Sequence, residues 1–446
     1  MTDRMPGEDE RRLRQALERL SVRAPRAFEP PPTMLHRARR RVAATALGAV
    51  LVLSAATVGG VALTRAVADR PLPIPIGPHS PSPTERPPAS ACAFTPVTLP
   101  KLPFGRDGLL GVTGTSPDDV WVGGGRFNAD FGKPEHTRSL LLYWDGSSMT
   151  LLPPREDVSG VNSIDAIAPD DVWAATETGP WHWDGTAWSQ VGDPILDGNT
   201  LAISASGPDD VWAVGGNAFA TAPFIEHFDG TRWTEVATPA SLHQPPGGPL
   251  SIGLNAVAAL APDDAWAVGG YFFQGQGTER PEPPVVLHWD GSQWTIVDMP
   301  PPGDAAYEGW SVAAGGPDDV WVAAEAIFPS YENTPGLVLH WDGSIWRPAT
   351  LVSAPGTVLH IHSIDVGGHD DAWAAGSAFD PSSKQQSPVI EHFDGTGWAM
   401  VPVVGQEPGA PARIASVRII GDEIWAVGTT GLGSALEHPP FVSVCR

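Results

Sequence analysis

The chain has 446 residues, a formal net charge of −24, and 49 Gly and 48 Pro. Such an acidic balance repels nucleic-acid phosphates and anionic headgroups, which excludes both as partners of the acidic part of the chain. The Gly and Pro content suits many short strands joined by turns.

The charge is unevenly placed. Residues 1–41 carry eleven Arg and six acids, a basic stretch read as a cytoplasmic tail. Within it Glu8–Leu20 is a short amphipathic pattern with Leu13, Leu17 and Leu20 on one face, and Pro25 and Pro30–Pro32 end any helix. Val42–Thr64 is a 23-residue run without a charge, preceded by Arg37, Arg39, Arg40 and Arg41. As a helix it reaches roughly 34 Å, which predicts a transmembrane helix over 42–64 with the tail inside and the rest outside. Ala66-Val67-Ala68 resembles a signal-peptide cleavage site, but the 41-residue leader favours an uncleaved anchor. The layout resembles that of bacterial anti-sigma factors, although the tail has no Cys and so lacks their zinc motif. Residues 65–91 are rich in Pro and Ser and read as a semi-extended linker.

A phrase of about fifty residues repeats from residue 92 onward. Its first half, P-D-D-V-W-V-G-G at Pro117–Gly124, returns from Pro169, Pro208, Pro262 and Pro317, then in altered form at His369 and Gly421. Its second half, H-W-D-G-S-Q-W at His288–Trp294, has relatives from Tyr143, His182, His227, His340 and His392, with a degenerate copy around His438. In the fourth copy Leu254–Leu260, Ala265–Gly270, Val285–Asp290 and Trp294–Met299 read as four strands. Pro262-Asp263-Asp264 forms the first turn, Gly269-Gly270 ends the second strand, and Asp290-Gly291 forms a hairpin turn. Seven such units predict an all-β, seven-bladed β-propeller over 92–446, with the tryptophans filling the gaps between blades.

The order Trp266, Gly269-Gly270, Trp289, Trp294 resembles a kelch repeat, although the last turn is shortened and some copies carry Ala for Gly. The D-G-x-x-W phrase is similar to the Asp-box of sialidase-type propellers but is one residue short. The whole resembles secreted actinobacterial repeat proteins. These resemblances imply architecture and say little about substrate.

Ala93–Pro100 aligns with Gln293–Pro300 as a fourth strand that arrives early. This predicts that the N-terminal strand joins the last blade, with Cys92 and Cys445 forming a disulfide across the seam in an oxidising compartment. Which terminal segment is outermost is left open by the alignment.

Features present in every blade build the fold, so the Asp pairs read as turn residues and the repeated histidines as packing or hydrogen-bonding groups. No metal ligand set and no cofactor site is expected. Ligand contacts are expected where the repeat breaks, on the face of the variable loops. Tyr307, Glu308 and Trp310 precede one inner strand and His360 and His362 open the next; Tyr271, Arg280 and Tyr331 stand in the variable connections. The expectation is a membrane-anchored, extracytoplasmic, monomeric propeller that binds a glycan, an envelope component or a protein without catalysis and does not bind nucleic acid. A glycan-active enzyme and the outer sensor of a signalling protein are the alternatives.

Overall fold

The computed structural model of the protein describes residues 92–446 apart from 103–106, 127–138, 154–157, 159, 193–198, 217–222, 244–249, 274–281, 300–302, 329–331, 405–411 and 431–438. The tail, the apolar run at 42–64 and the linker lie outside the described residues, as does His438. Among the described residues no helix is long and apolar enough to cross a membrane.

Twenty-eight strands, β1 to β28 in chain order, form seven four-stranded antiparallel sheets, which are the seven blades of a propeller. The inner strands are β2 (Asp107–Ser116), β6 (Val161–Ala168), β10 (Asn199–Gly207), β14 (Leu250–Ala261), β18 (Ala306–Gly316), β22 (Val358–Gly368) and β26 (Ala412–Ile420). In the fourth blade β14 is followed by β15 (Asp264–Phe273), β16 (Val285–Trp289) and β17 (Trp294–Ile296). One expectation is corrected here. The glycine doublet does not stop β15, which runs on to Phe273 and pairs it with Leu250. These glycines are set by close approach instead. A Cβ on Gly269 would lie 1.9 Å from the Gly253 carbonyl oxygen, and one on Gly270 would lie 2.9 Å from the Cα of Glu308 in the next blade.

The recurrent tryptophan of each blade packs on the outer strands of the next. Trp212 lies 5.0 Å from Trp289 and 5.1 Å from Trp294 between ring centroids, and Trp321 lies 5.3 Å from Phe393 and 5.5 Å from Trp398. Trp181, which stands outside the recurrent register, is 5 % exposed and belongs to the same core.

The ring closes through its ends. β1 (Thr95–Pro96) is the outermost strand of the last blade, paired with β28 (Pro440–Cys445), which follows β27 (Glu423–Thr430). Phe94 takes the place of the fourth-strand tryptophan against Trp373, at 6.1 Å and near-perpendicular, and its backbone bonds to Pro402 and Val404 of the sixth blade. Cys92 and Cys445 form a disulfide beneath this lacing, with Cα atoms 5.7 Å apart.

The repeated polar residues have separate duties. The second Asp of each pair serves its own blade. Asp210 Oδ1 accepts from Trp212 Nε1 at 3.1 Å and from His227 Nε2 at 2.7 Å, and the same set recurs at Asp171, Asp264, Asp319 and Asp371. The repeated histidines are therefore held within their own blades rather than sharing an ion. The first Asp packs under the hairpin glycine, so that a Cβ on Gly291 (φ +85°) would lie 2.9 Å from Asp263 Cβ. The hairpin Asp accepts from the amides two and three residues on, as Asp290 Oδ1 does from Ser292 and Gln293. Asp-Asp and Asp-Gly turns thus share one face of the disc.

Two sets of carboxylates give the fold an unusual pH profile. Burial, then Glu235 directly opposite on the neighbouring strand, lifts Glu226 to about 7, and burial lifts Glu391 to about 7. Donated hydrogen bonds, first from Thr231 Oγ1, hold Asp229 at about 2, and Asp290 and Asp394 are lowered by the equivalent Ser292 and Thr396 bonds. Unfolded Glu and Asp titrate near ~4.3 and ~3.9. Between about pH 7 and pH 4.5 the folded chain holds protons on Glu226 and Glu391 that the unfolded chain has released, so stability rises as pH falls. Below about pH 4 the unfolded aspartates bind protons that the turn aspartates refuse, so stability falls. Calorimetry across pH is expected to place the highest thermal midpoint near pH ~5 rather than at 7.5. A Glu226→Gln, Glu391→Gln double variant should flatten the limb between those values.

Candidate functional site at the propeller axis

Each inner strand carries an extra residue at one equivalent place, and six of them carry a second beside the turn to the next strand. The register skips Leu110, Asn162, Leu201, Asn255, Trp310, His362 and Ala415. Such a β-bulge turns one side chain out of the paired ladder. All seven of these residues line a single axial cavity of about 160 Å³.

The bulge explains a glycine of the repeat. The carbonyl two residues before the extra residue is driven at the facing strand. It would lie 2.0 Å from a Cβ on Gly124 or Gly215, 1.9 Å from one on Gly376 and 2.1 Å from one on Gly428, as at Gly269. In the fifth blade the order is reversed, with Ala324 on the second strand facing Gly309 on the inner one.

Three residues further along each inner strand, a second ring faces the axis nearer the Asp-Asp turns. Side chains here lace neighbouring blades. Thr113 accepts from the Ala166 amide at 3.1 Å, Asp165 from Ala205 at 2.9 Å, Ser204 from Ala259 at 3.2 Å and Asp365 from Ile419 at 2.7 Å. Arg418 crosses from the last blade to Asp165 of the second at 3.1 Å and to Asp365 of the sixth at 3.5 Å. This clamp narrows the axis at that level, so the cavity is a cup with an ionic floor.

The upper wall is uncharged and polar. Asn162 donates Nδ2 to the Thr200 carbonyl at 2.9 Å. Asn255 donates Nδ2 to Glu308 Oε1 at 2.7 Å and to the Gly309 carbonyl at 2.9 Å. Trp310 is 43 % exposed and stands edge-on to the His362 ring at 6.1 Å. The His362 side chain is 8 % exposed, with Nδ1 3.9 Å from Glu325 Oε1. Its Nε2 has no hydrogen-bond partner among the described residues. Burial, reinforced by Arg413 and His360, drops the His362 pKa to about 3, so the ring is neutral.

The residues expected at the site occupy different environments. Trp310 and His362 meet at the cup. His360 is fully buried, with Nδ1 2.9 Å from Glu325 Oε2. The alternation that would place His360 and His362 on one face is broken by the bulge between Ile361 and Ser363. Tyr307 does not face solvent: it is 4 % exposed in a small alanine cluster, and its hydroxyl donates to the Pro335 carbonyl at 3.4 Å. Glu308 is 6 % exposed, and burial raises its pKa against the Asn255 bond. Glu325, whose existence at the site no motif signalled, is also raised by burial despite His360. Glu308 and Glu325 are cross-strand neighbours, yet the first is bonded to the fourth blade and the second to the sixth, so their carboxylates serve different interblade gaps. Tyr271 pairs with Ile252 and packs against the fourth-blade core, away from the cup. Arg280 and Tyr331 lie outside the described residues. Among the described residues no group of three or more His, Cys, Asp or Glu is placed to hold a metal ion.

No protein-family model matches the sequence, and neither does any curated protein. Solved structures match in fold. The extracellular domain described as that of a hybrid two-component system from B. thetaiotaomicron is similar over 80 % of this chain and 40 % of its own, at 12 % identity and a TM-score of 0.50. The chain thus spans less than half the length of that protein. YCF48 from Cyanidioschyzon merolae matches over 79 % of this chain and 98 % of its own, at 16 % identity and a TM-score of 0.49. A GH74 xyloglucanase from Xanthomonas campestris matches over 78 % and 55 %, at 14 % identity and 0.46. At these identities the likeness concerns the propeller fold alone.

Proposed function

We propose that this chain is a membrane-anchored, extracytoplasmic propeller that binds an envelope ligand, a glycan or a protein, at the axial cup without catalysing a reaction on it. The ring of bulged residues carries this reading. A feature repeated in all seven blades presents seven side chains of five different kinds, and they converge on one cavity. Ligand sites are concave, with a few convergent polar groups beside apolar or aromatic walls. The two carboxylates nearest Trp310 are committed to different blades, which favours binding over acid–base chemistry. The uncharged run Val42–Thr64 behind Arg37–Arg41 supports the anchor and its orientation. The Cys92–Cys445 disulfide supports an oxidising compartment. The kelch-like order of the blade, of a kind with actinobacterial secreted repeats, belongs to the same proposal.

The test is retention of the full-length chain on envelope fractions. Trp310→Ala is expected to weaken retention about tenfold, ~1.4 kcal/mol, with the thermal midpoint nearly unchanged because the side chain is exposed. Equal retention of wild type and variant would remove the cup as the binding site.

A further inference from the structure

We infer that the cup takes the uncharged terminal sugar ring of a saccharide, held end-on. This rests on the reading that the axial end binds a ligand, and it names the ligand's chemistry.

The amide and imidazole groups of the wall offer acceptors. Asn255 has committed both N–H groups of Nδ2 and Asn162 one of them to the protein, which turns their carbonyl oxygens to a ligand. The Glu325 carboxylate 3.9 Å from His362 Nδ1 favours the proton on that nitrogen, leaving Nε2 as an acceptor. That nitrogen is itself buried, just beneath the surface of a residue that lines the cavity, and has no partner among the described residues. A buried acceptor left unsatisfied is costly, so the fitting occupant is one that donates. A ring bearing several hydroxyls supplies donors at several angles.

Charge narrows the class further. Among the described residues the only cation lining the cavity, Arg418, is divided between Asp165 and Asp365. An anionic ligand would meet the Asn acceptors and a floor whose one guanidinium is already shared by two carboxylates. A cationic ligand would find no free carboxylate, because Asp165 and Asp365 face Arg418 while Glu308 and Glu325 are bonded to Asn255 and His360. The occupant is therefore neutral.

Shape agrees with chemistry. A cavity of about 160 Å³ displaces roughly five waters at ~30 Å³ each, which suits one sugar ring and not a chain laid lengthwise. Trp310 offers its exposed indole at the mouth, where a flat π-face suits the apolar C–H face of such a ring.

The experiment is isothermal titration and saturation-transfer NMR on the full chain in a sugar-free detergent. The probes are neutral trisaccharides ending in glucose, mannose, galactose or N-acetylglucosamine, with glucuronate-ended and glucosamine-ended counterparts. At least one neutral trisaccharide should bind at millimolar concentration or tighter. Its affinity should fall at least tenfold in Trp310→Ala and in His362→Phe, which keeps an aromatic ring but removes Nε2. The charged counterparts should bind at least tenfold more weakly. Charged ends that bind as well as neutral ones would overturn the proposal. So would neutral sugars that fail to bind while envelope fractions are still retained through Trp310, an outcome that leaves the binding role standing with a protein ligand. Retention that ignores Trp310 would bring down both.

Discussion

Replacing Cys92 and Cys445 together by serine is expected to lower the thermal midpoint of the propeller by about 5 °C. The disulfide closes a loop with a sequence separation of 353 residues. Chain-entropy arguments put the stabilisation of so long a loop near 6 kcal/mol, whereas measured disulfides commonly deliver 2–4, so ~4 kcal/mol is a reasonable figure. For the roughly 350 residues from 92 to 446 an unfolding entropy of about 2.1 cal/mol/K per residue converts that energy into the stated shift. The loss should begin at the seam. Without the bridge the last blade depends on the short pairing of Thr95 and Pro96 with Val444 and Ser443, and on Phe94 against Trp373. Calorimetry on the double variant tests the midpoint. Hydrogen exchange tests the place, with the Val97 amide, bonded to the Val442 carbonyl at 2.8 Å, expected to lose protection first. An unmoved midpoint would show that the lacing suffices.

Asp210→Ala is expected to cost ~3 kcal/mol, while Asp209→Ala beside it costs less than ~1 kcal/mol. The two residues look alike in sequence. Asp210 is 2 % exposed and accepts from Trp212, His227 and Ser206, whereas Asp209 is exposed in the turn. Removing the Asp210 carboxylate strands the indole N–H of a tryptophan that is 1 % exposed, together with a half-buried imidazole. Burial would raise the Asp210 pKa, but the His227 and Ser206 bonds outweigh it and the pKa is lowered, so the carboxylate form is the one the fold selects. Asp210→Asn keeps one acceptor oxygen and should lose about 1 kcal/mol. Urea denaturation of the three variants decides the order, and equal losses at 209 and 210 would contradict the division of labour between them.

Much of the ring was legible because its strongest signals are local. The Asp-Gly turns, the turn prolines and the tryptophan spacing each depend on a few neighbouring residues, and they give seven blades. Even the seam was visible, since Phe94 aligns with Trp294 and occupies the corresponding place against the preceding blade. The cup was not legible in the same way. Its residues stand eleven positions before the recurrent tryptophan in six blades and ten before Trp425, a spacing as regular as any in the chain. No single residue type holds the position, however, and a search for repeated letters passes over it. Trp310 drew notice only because it fell outside the recurrent phrase. The buried glutamates were hidden for another reason. Glu325 meets His360 across 35 residues of sequence, and only the packing of the fifth blade on the sixth brings them together.

The extra residue in each inner strand also bears on how such a protein can change. A side chain in the ladder must suit two neighbouring blades, so its replacement disturbs the fold. A residue pushed out of the ladder is released from that obligation where it makes no bond to the next blade, whereas Asn162 and Asn255 still carry it. Leu110, Leu201, Trp310 and Ala415 thus act as slots on a fixed rack, and any one can be exchanged while the others keep their places. Specificity can drift in single steps without a stability valley between them, and a laboratory wishing to redirect the cup would begin at the slots now filled by Leu110, Leu201 and Ala415.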